Sequence, residues 1–389
     1  MSFKSPKILV AAPLAVAIAS TSALAVEPKK IEIGSGLSLT PLLDLEIGYD
    51  DNIRGVGIDD ESSWVTTLSP SVLLEAIDGL NLYQLKYRAD ARRYHSSQDD
   101  DHVNHSVEAL GTFVFNERNR LNLAASHYRT EQVANTRFTD INDEFNTSKV
   151  GAVYGFGVPS ATFNFDLGAD YTWRRTDNSG GINRDREYDV TGVNGILYYR
   201  VSPKTRMLAE YRYQDYEYEL STSTLDNDRD IALVGFTWDA TAKTVGTVKV
   251  GYEDRDFSHS SQRDFSNTFW EVDVTWQPRP LSTITLGTQK GSAEGETTAN
   301  YAKTTSYDLG WNQRWTDRVH SDVFYSFKEE DYRGMDREDD ITRAGVSINY
   351  DLLRWATVGI GYTYYDRDSP IAIRDYDRNI YMLNFNFSL

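Results

Sequence analysis

The sequence predicts an all-β fold, a transmembrane antiparallel up-and-down β-barrel of about 18 strands. Two observations carry that expectation. From residue 37 onward, runs of roughly ten residues alternate apolar and polar side chains, the period of a strand with two different faces, and no segment has helical periodicity. Outside the first 25 residues no apolar stretch approaches the length a helix needs to cross a bilayer. A soluble sandwich also alternates, but its strands usually run about five or six residues, whereas tilted membrane-spanning strands need about ten. The composition agrees: 25 Tyr, 16 Phe and 8 Trp supply aromatic girdles, and the absence of Cys excludes disulfides, thiol catalysis, cysteine metal sites and a lipidated cysteine.

The first element is an export signal. Lys4 and Lys7 precede an apolar stretch from Ile8 to Leu24 that ends in Ala23-Leu24-Ala25, a small-x-small cleavage pattern, and Pro13 makes the stretch a poor anchor. The expected organisation is a cleaved signal peptide at 1–25, a short periplasmic segment at 26–36 and an outer-membrane barrel at 37–389. Loss of the two signal lysines takes the formal charge from -18 to -20, which makes nucleic acid an unsuitable partner.

Strands are expected to begin near residues 37, 64, 80, 102, 120, 145, 161, 187, 205, 230, 245, 265, 282, 304, 319, 341, 355 and 378. In the first run Leu37, Leu39, Leu43, Leu45, Ile47 and Tyr49 share a face. In the third, Tyr83, Leu85, Tyr87, Ala89 and Ala91 oppose Gln84, Lys86, Arg88, Asp90 and Arg92. Trp270, Val272, Val274 and Trp276 alternate with Phe269, Glu271, Asp273 and Thr275, and the last run, Tyr381 to Leu389, resembles the C-terminal signal read by the barrel-insertion machinery, though with Leu389 in place of an aromatic residue. An even strand count places both termini in the periplasm of a Gram-negative bacterium.

Connector length sets the orientation. Short turns rich in Gly and Pro, such as Asp78-Gly79, Ser202-Pro203-Lys204 and Gln277-Pro278-Arg279-Pro280, belong at the periplasmic end. The long connectors are acidic: Asp50, Asp51, Asp59, Asp60 and Glu61; Asp99 to Asp101; and Glu329, Glu330, Asp331, Asp336, Glu338, Asp339 and Asp340. None has the spacing of a calcium loop, so solvation of an outer rim is the reading they receive. Trp64, Tyr94, Tyr128, Trp173, Tyr213, Trp238, Tyr252, Tyr325 and Tyr364 fall near strand ends, as girdle residues do. Pro41 and Pro70 each remove a ladder donor from the first hairpin, which predicts a bulge or irregular ladder there.

No catalytic, metal or cofactor site is expected. His102 and His105 fall on opposite faces of one strand, and the neighbours Ser126 and His127 point opposite ways, so neither pair converges on a reacting atom. The residues with chemistry to offer are those that alternation turns inward: Lys86, Arg88, Asp90, Arg92, Asp166, Asp170, Arg174, Glu210, Arg212, Glu271, Asp273, Asp308, Arg314, Asp322, Lys328 and Arg343, with Gln84 and Glu108. A wall of both signs can hydrogen-bond hydroxyl-rich or anionic solutes, or it can simply brace the barrel by pairing with itself.

At Gly48-Tyr49-Asp50-Asp51-Asn52-Ile53 the first strand runs into its loop with a sequence that resembles the opening of the β-barrel porin 2 family, found with exopolysaccharide and capsule loci. The likeness continues through Ala209-Glu210-Tyr211-Arg212-Tyr213-Gln214-Asp215-Tyr216 and Val201-Ser202-Pro203-Lys204-Thr205. That resemblance implies a non-enzymatic barrel helping an exopolysaccharide or capsular polysaccharide across the outer membrane with a periplasmic polysaccharide export protein, in contact with membrane lipid and lipopolysaccharide. A general or oligosaccharide-uptake porin is the alternative, and a barrel lipase or deacylase the third.

Overall fold

A computed structural model describes residues 30–133, 141–158, 160–241, 243–294 and 301–388. The signal peptide expected at 1–25 and the terminal Leu389 lie outside them. The chain forms a short β1 (Ile31–Gly34) and then β2 (Leu37–Asp50), β3 (Ser63–Asp78), β4 (Asn81–Tyr94), β5 (His102–Asn116), β6 (Asn119–Gln132) and β7 (Asp143–Phe156). It continues through β8 (Phe163–Thr176), β9 (Tyr188–Ser202), β10 (Thr205–Tyr218), β11 (Asn227–Thr241), β12 (Thr244–Phe257) and β13 (Phe265–Arg279). The last strands are β14 (Ser282–Glu294), β15 (Tyr301–Arg314), β16 (Val319–Arg333), β17 (Arg337–Leu353), β18 (Ala356–Asp368) and β19 (Tyr376–Ser388).

Each strand from β2 to β19 pairs antiparallel with the next, and β19 returns to β2 from Ile380↔Asp50 to Ser388↔Leu42, so 18 strands close the barrel. Every one begins within four residues of its expected position. Strand lengths run from 13 to 17 residues. At about 3.3 Å per residue and a tilt near 45°, 14 residues rise about 33 Å, enough for the roughly 30 Å hydrocarbon layer.

The burial pattern is the inverse of a soluble protein. Leu85, Val150, Leu197, Val234, Leu309 and Ile360 face outward and are exposed, Val234 and Ile360 each to 61 %. Ser38, Thr40, Glu210, Asn349 and Thr363 face inward and are buried. Apolar area left bare around a whole cylinder is stable only where the surroundings are themselves apolar. Toward the end carrying the longer loops this band stops at Tyr171, Tyr211 and Tyr213, whose hydroxyls donate to Asp189, Asp230 and Asp228. The other end carries the short turns, two residues long between β3 and β4, β9 and β10, and β17 and β18.

Four details depart from the sequence reading. The β2–β3 ladder keeps one register from Leu37↔Ala76 to Asp50↔Ser63 without a bulge. Pro70 instead interrupts the β3–β4 pairing, where no rung is formed between Leu68↔Ala91 and Ser71↔Arg88. Pro41 falls between the last β1 partner, Leu39, and the first β19 partner, Leu42, so among the described residues no rung on that edge needs its missing N–H. The acidic stretch from Glu329 to Asp340 is not a long loop: β16 and β17 run through it and leave only residues 334–336 as the connector, with Gly334 at φ 90°. Glu330 and Asp339 there are buried against Arg367 rather than solvating a rim. Tyr94 and Tyr128 point inward, Tyr94 buried and Tyr128 donating to Glu108 at 2.9 Å, so they are not girdle residues.

The cylinder is not round. Arg212 on β10 reaches Glu271 on β13, and β11 and β13, which are not neighbours, come within 8 Å of each other between Cα atoms. The bend lies at β12, and two inward glycines permit it. A Cβ on Gly251 would run into the Ala232 carbonyl, and one on Gly235 into the Val248 carbonyl.

Candidate functional site

Among the described residues polar chemistry gathers along the bore, and alternation builds it. On β4, Leu85 and Tyr87 look out while Lys86, Arg88, Asp90 and Arg92 look in. The antiparallel register then sets Lys86 opposite Glu108. All 16 inward candidates occupy the face opposite the exposed apolar side chains of their strands.

They form two unlike walls. Along β2–β8 and β15–β19 the pairs these candidates make are short-range and part-exposed, in contrast to the buried Arg337, Asp339 and Arg367 near the loop end. Arg88 binds Asp44 at 2.9 Å and Asp90 at 2.8 Å; Arg120 binds Asp166 at 2.6 Å; Lys149 binds Asp170 at 2.9 Å. Asp322 accepts from Asn312 at 2.7 Å and Asn349 at 3.2 Å. Lys328 pairs with Glu330, and Arg314 lies 3.7 Å from Asp351. Arg174 sits over the Phe145 ring at 4.0 Å and Arg343 over Phe324 at 5.3 Å. Lys86, Arg92 and Arg343 are exposed although they point inward, which is possible only if this side of the bore holds water.

At the bend the inner wall is packed. Arg212 makes a bidentate contact to Glu271, at 2.7 and 2.9 Å, and also binds Glu210, while Lys249 reaches Glu210 at 2.8 Å and Glu271 at 3.1 Å. Two carboxylates facing two cations in a buried patch brace the wall, since each charge has its partner. Asp273 and Asp308 flank the inward Gly287 just beyond it. Above the network Ile231, Leu233 and Phe269 form an apolar cluster inside the bore, and Glu253 and Arg255 are fully buried.

Sequence reasoning did not single out Lys249, Glu253 or Arg255. The signal was present, because they alternate with Val248, Val250 and Tyr252. The Gly48-to-Ile53 motif also has a defined place. Arg378 Nε donates to both carboxylate oxygens of Asp50, at 2.9 and 3.1 Å, Asp51 accepts from the Asn379 backbone N–H at 2.6 Å and its side chain at 2.8 Å, and Asn52 holds Val56. The motif thus clamps the first barrel strand to the last at the loop end. Of the histidines, His102 is buried against the Asp100 carbonyl at 2.7 Å, His105 meets Tyr87 on the outer face, and His127 meets Ser148 rather than Ser126.

Comparison with solved structures returns outer-membrane barrels. Acinetobacter baumannii OccAB4 superposes with a TM-score of 0.50 at 13% identity, over 91% of this chain and 98% of that one. Pseudomonas aeruginosa OccK2 (OpdF) gives 0.49 at 10% identity over 91% and 98%. The FrpB iron transporter of Neisseria meningitidis gives 0.49 at 11% identity over 84% of this chain, which spans 62% of the length of that protein. A comparison with curated proteins finds no match. A closed barrel with an apolar outer band that a porin family model matches is an outer-membrane protein of a Gram-negative bacterium. A family model described as putative beta-barrel porin 2 matches residues 25–388, the whole of the barrel, and the chain is therefore a member of that porin family.

Proposed function

We propose that the barrel is a pore through which small hydrophilic solutes cross the outer membrane by diffusion along its hydrated wall. The observation that carries this reading is the exposure of inward charges of the β4 and β17 wall, Lys86, Arg92 and Arg343, inside a cylinder whose outer face carries an exposed apolar band. Neighbouring groups of opposite sign let a polar solute exchange its water for side-chain hydrogen bonds at each level without being held at any one of them. The short turns and both chain ends lie on the periplasmic side, as the even strand count supports. The outward band meets lipid and the headgroups of lipopolysaccharide, and the insertion machinery assembles the barrel.

Passage of an exopolysaccharide, with a periplasmic export protein as partner, is the narrower reading, and it rests on the family resemblance. Single-channel recording and sugar-driven swelling of vesicles containing the refolded barrel test the pore. Conductance and sugar entry are the expected results, and impermeable vesicles holding folded barrel would overturn it. A deletion strain that takes up small sugars normally but traps polymer in its periplasm would replace solute diffusion with export.

A further inference from the structure

The ladder between β13 and β14 stops early. Its highest rung is Trp270↔Lys290, although β13 continues upward from there to Phe265 and β14 to Glu294. Above that rung β14 pairs only with β15, as far as Glu294↔Tyr301, and β13 only with β12. The two strands have parted.

Where β14 and β15 have gone follows from side-chain parity. Ser292 and Glu294, and their partners Lys303 and Tyr301, occupy the face that lower in the same strands points out to lipid, as Leu286 and Tyr307 do. Here that face touches the inner surface of the opposite wall. Ser292 donates to Glu253, Arg255 binds Glu294 at 2.6 Å, Tyr301 stacks on Phe265 with ring centroids 3.9 Å apart, and Tyr218 of β10 donates to Glu294. An outer face can meet an inner face only if the upper arms of the β14–β15 hairpin, Gly291–Glu294 and Tyr301–Thr304, have swung into the bore and lie as a second sheet layer over β10–β13. Gly291 stands at the crossing, where a Cβ would meet the Phe269 ring at 2.7 Å.

We propose that these two arms, Gly291–Glu294 and Tyr301–Thr304, are a gate with two positions: the inner one seen here, which narrows the bore, and an outer one in which the β13–β14 ladder closes. The register is already set for the outer position. Continued from Trp270↔Lys290, it pairs Phe269 with Gly291, Thr268 with Ser292, Asn267 with Ala293 and Ser266 with Glu294. Each position has its own stabilisation, buried rings and charges inside or four further rungs outside, so neither is enforced by chain connectivity. The inner position also leaves Arg255 Nε and Nη2 and Asn267 Nδ2 buried with no hydrogen-bond partner among the described residues, which lowers its advantage. The seam is tolerable in a membrane because of its height. Trp270 stands nine residues above Arg279, roughly 23 Å along the axis for a 40° tilt. The parted edges therefore lie near the top of the roughly 25 Å apolar band, where Ser266 and Thr268 face outward.

This gate rests on the pore reading, and one experiment separates the two. The chain has no Cys, so Ser292→Cys can be combined with Glu253→Cys to hold the inner position or with Thr268→Cys to hold the outer, using a short, reducible thiol cross-linker, with heat-modifiable migration as the folding check. Both pairs are expected to cross-link in membranes. A sheet layer is about 10 Å thick, so the outer-locked pore should conduct roughly twofold more than the inner-locked one, and reduction should erase the difference. Glu294→Gln without cross-linker should shift wild-type openings toward the larger level. Failure of the Thr268–Ser292 pair to react in a folded barrel, or equal conductance of the two locked forms, overturns the gate. Absence of conductance in every form sinks the pore, while the cross-linking pattern still decides whether the hairpin has two positions.

Discussion

Replacing Arg212 by Met should destabilise the barrel more than any other single loss of charge in the bend. Arg212 has 7% of its side chain exposed and Glu210 none, and the guanidinium makes three contacts, two to Glu271 and one to Glu210. Without it two carboxylates share Lys249 alone, and removal of one partner from a buried ion cluster costs about 3–5 kcal/mol. Glu271, 18% exposed, recovers some hydration, so the lower figure applies, about 3 kcal/mol. With a urea dependence near 3 kcal/mol per M for a chain of this size, the unfolding midpoint in lipid vesicles should fall by about 1 M. Arg212→Met/Glu271→Gln removes the stranded charge with its partner and should regain more than half of that loss. Tryptophan fluorescence against urea reads both midpoints. A single variant as stable as wild type, or a double variant less stable than the single, would refute the claim that these groups brace the wall as a charge-balanced unit.

Other outcomes follow from the same geometry. Gly251→Val should abolish assembly, because its Cβ meets the Ala232 carbonyl at the tightest bend; a heat-modifiable band at wild-type yield would contradict this. Arg378→Ala should loosen the β19–β2 closure by about 1.5–3 kcal/mol, the worth of a hydrogen bond to a charged group, and lower the temperature at which the folded band is lost in detergent. Lys86→Glu with Arg343→Glu should move the reversal potential in a salt gradient toward cation selectivity, since both side chains meet the water in the bore. Val234→Arg, in the middle of the lipid face, should cost about 2–4 kcal/mol in vesicles.

The strands were legible because the signal that specifies them is local and repeated. A period of two held over 14 residues marks a strand and its faces at once, as on β4, where the alternation of Leu85 and Tyr87 with Lys86 and Arg88 determines which side meets lipid. Composition misled where it was read without register. The acids between Glu329 and Asp340 look like a loop, yet all but Asp336 find a cross-strand place on β16 or β17, and Glu330 and Asp339 draw Arg367 into a buried cluster. Tyr94 and Tyr128 lie near strand ends, but their even parity turns them inward. The swung hairpin was not legible at all: parity along β14 and β15 never changes, and only the arrest of pairing with β13, a relation between distant segments, shows that the outer face has come inside. The bend at β12 left a faint trace in Gly235 and Gly251, whose meaning depends on which carbonyl each one faces.

A hydrated bore requires one face of each strand to meet lipid and the other to meet water, and adjacent single cysteines in an otherwise Cys-free chain test this directly. Leu85→Cys should be unreactive to a membrane-impermeant maleimide in vesicles, and once fluorescently labelled in detergent and reconstituted, should be quenched by lipids carrying a quencher on their acyl chains. Lys86→Cys, one residue on, should react with the maleimide and escape the quencher. Equal labelling and quenching at the two sites, or the reverse pattern, would contradict a barrel with an apolar exterior and a hydrated bore.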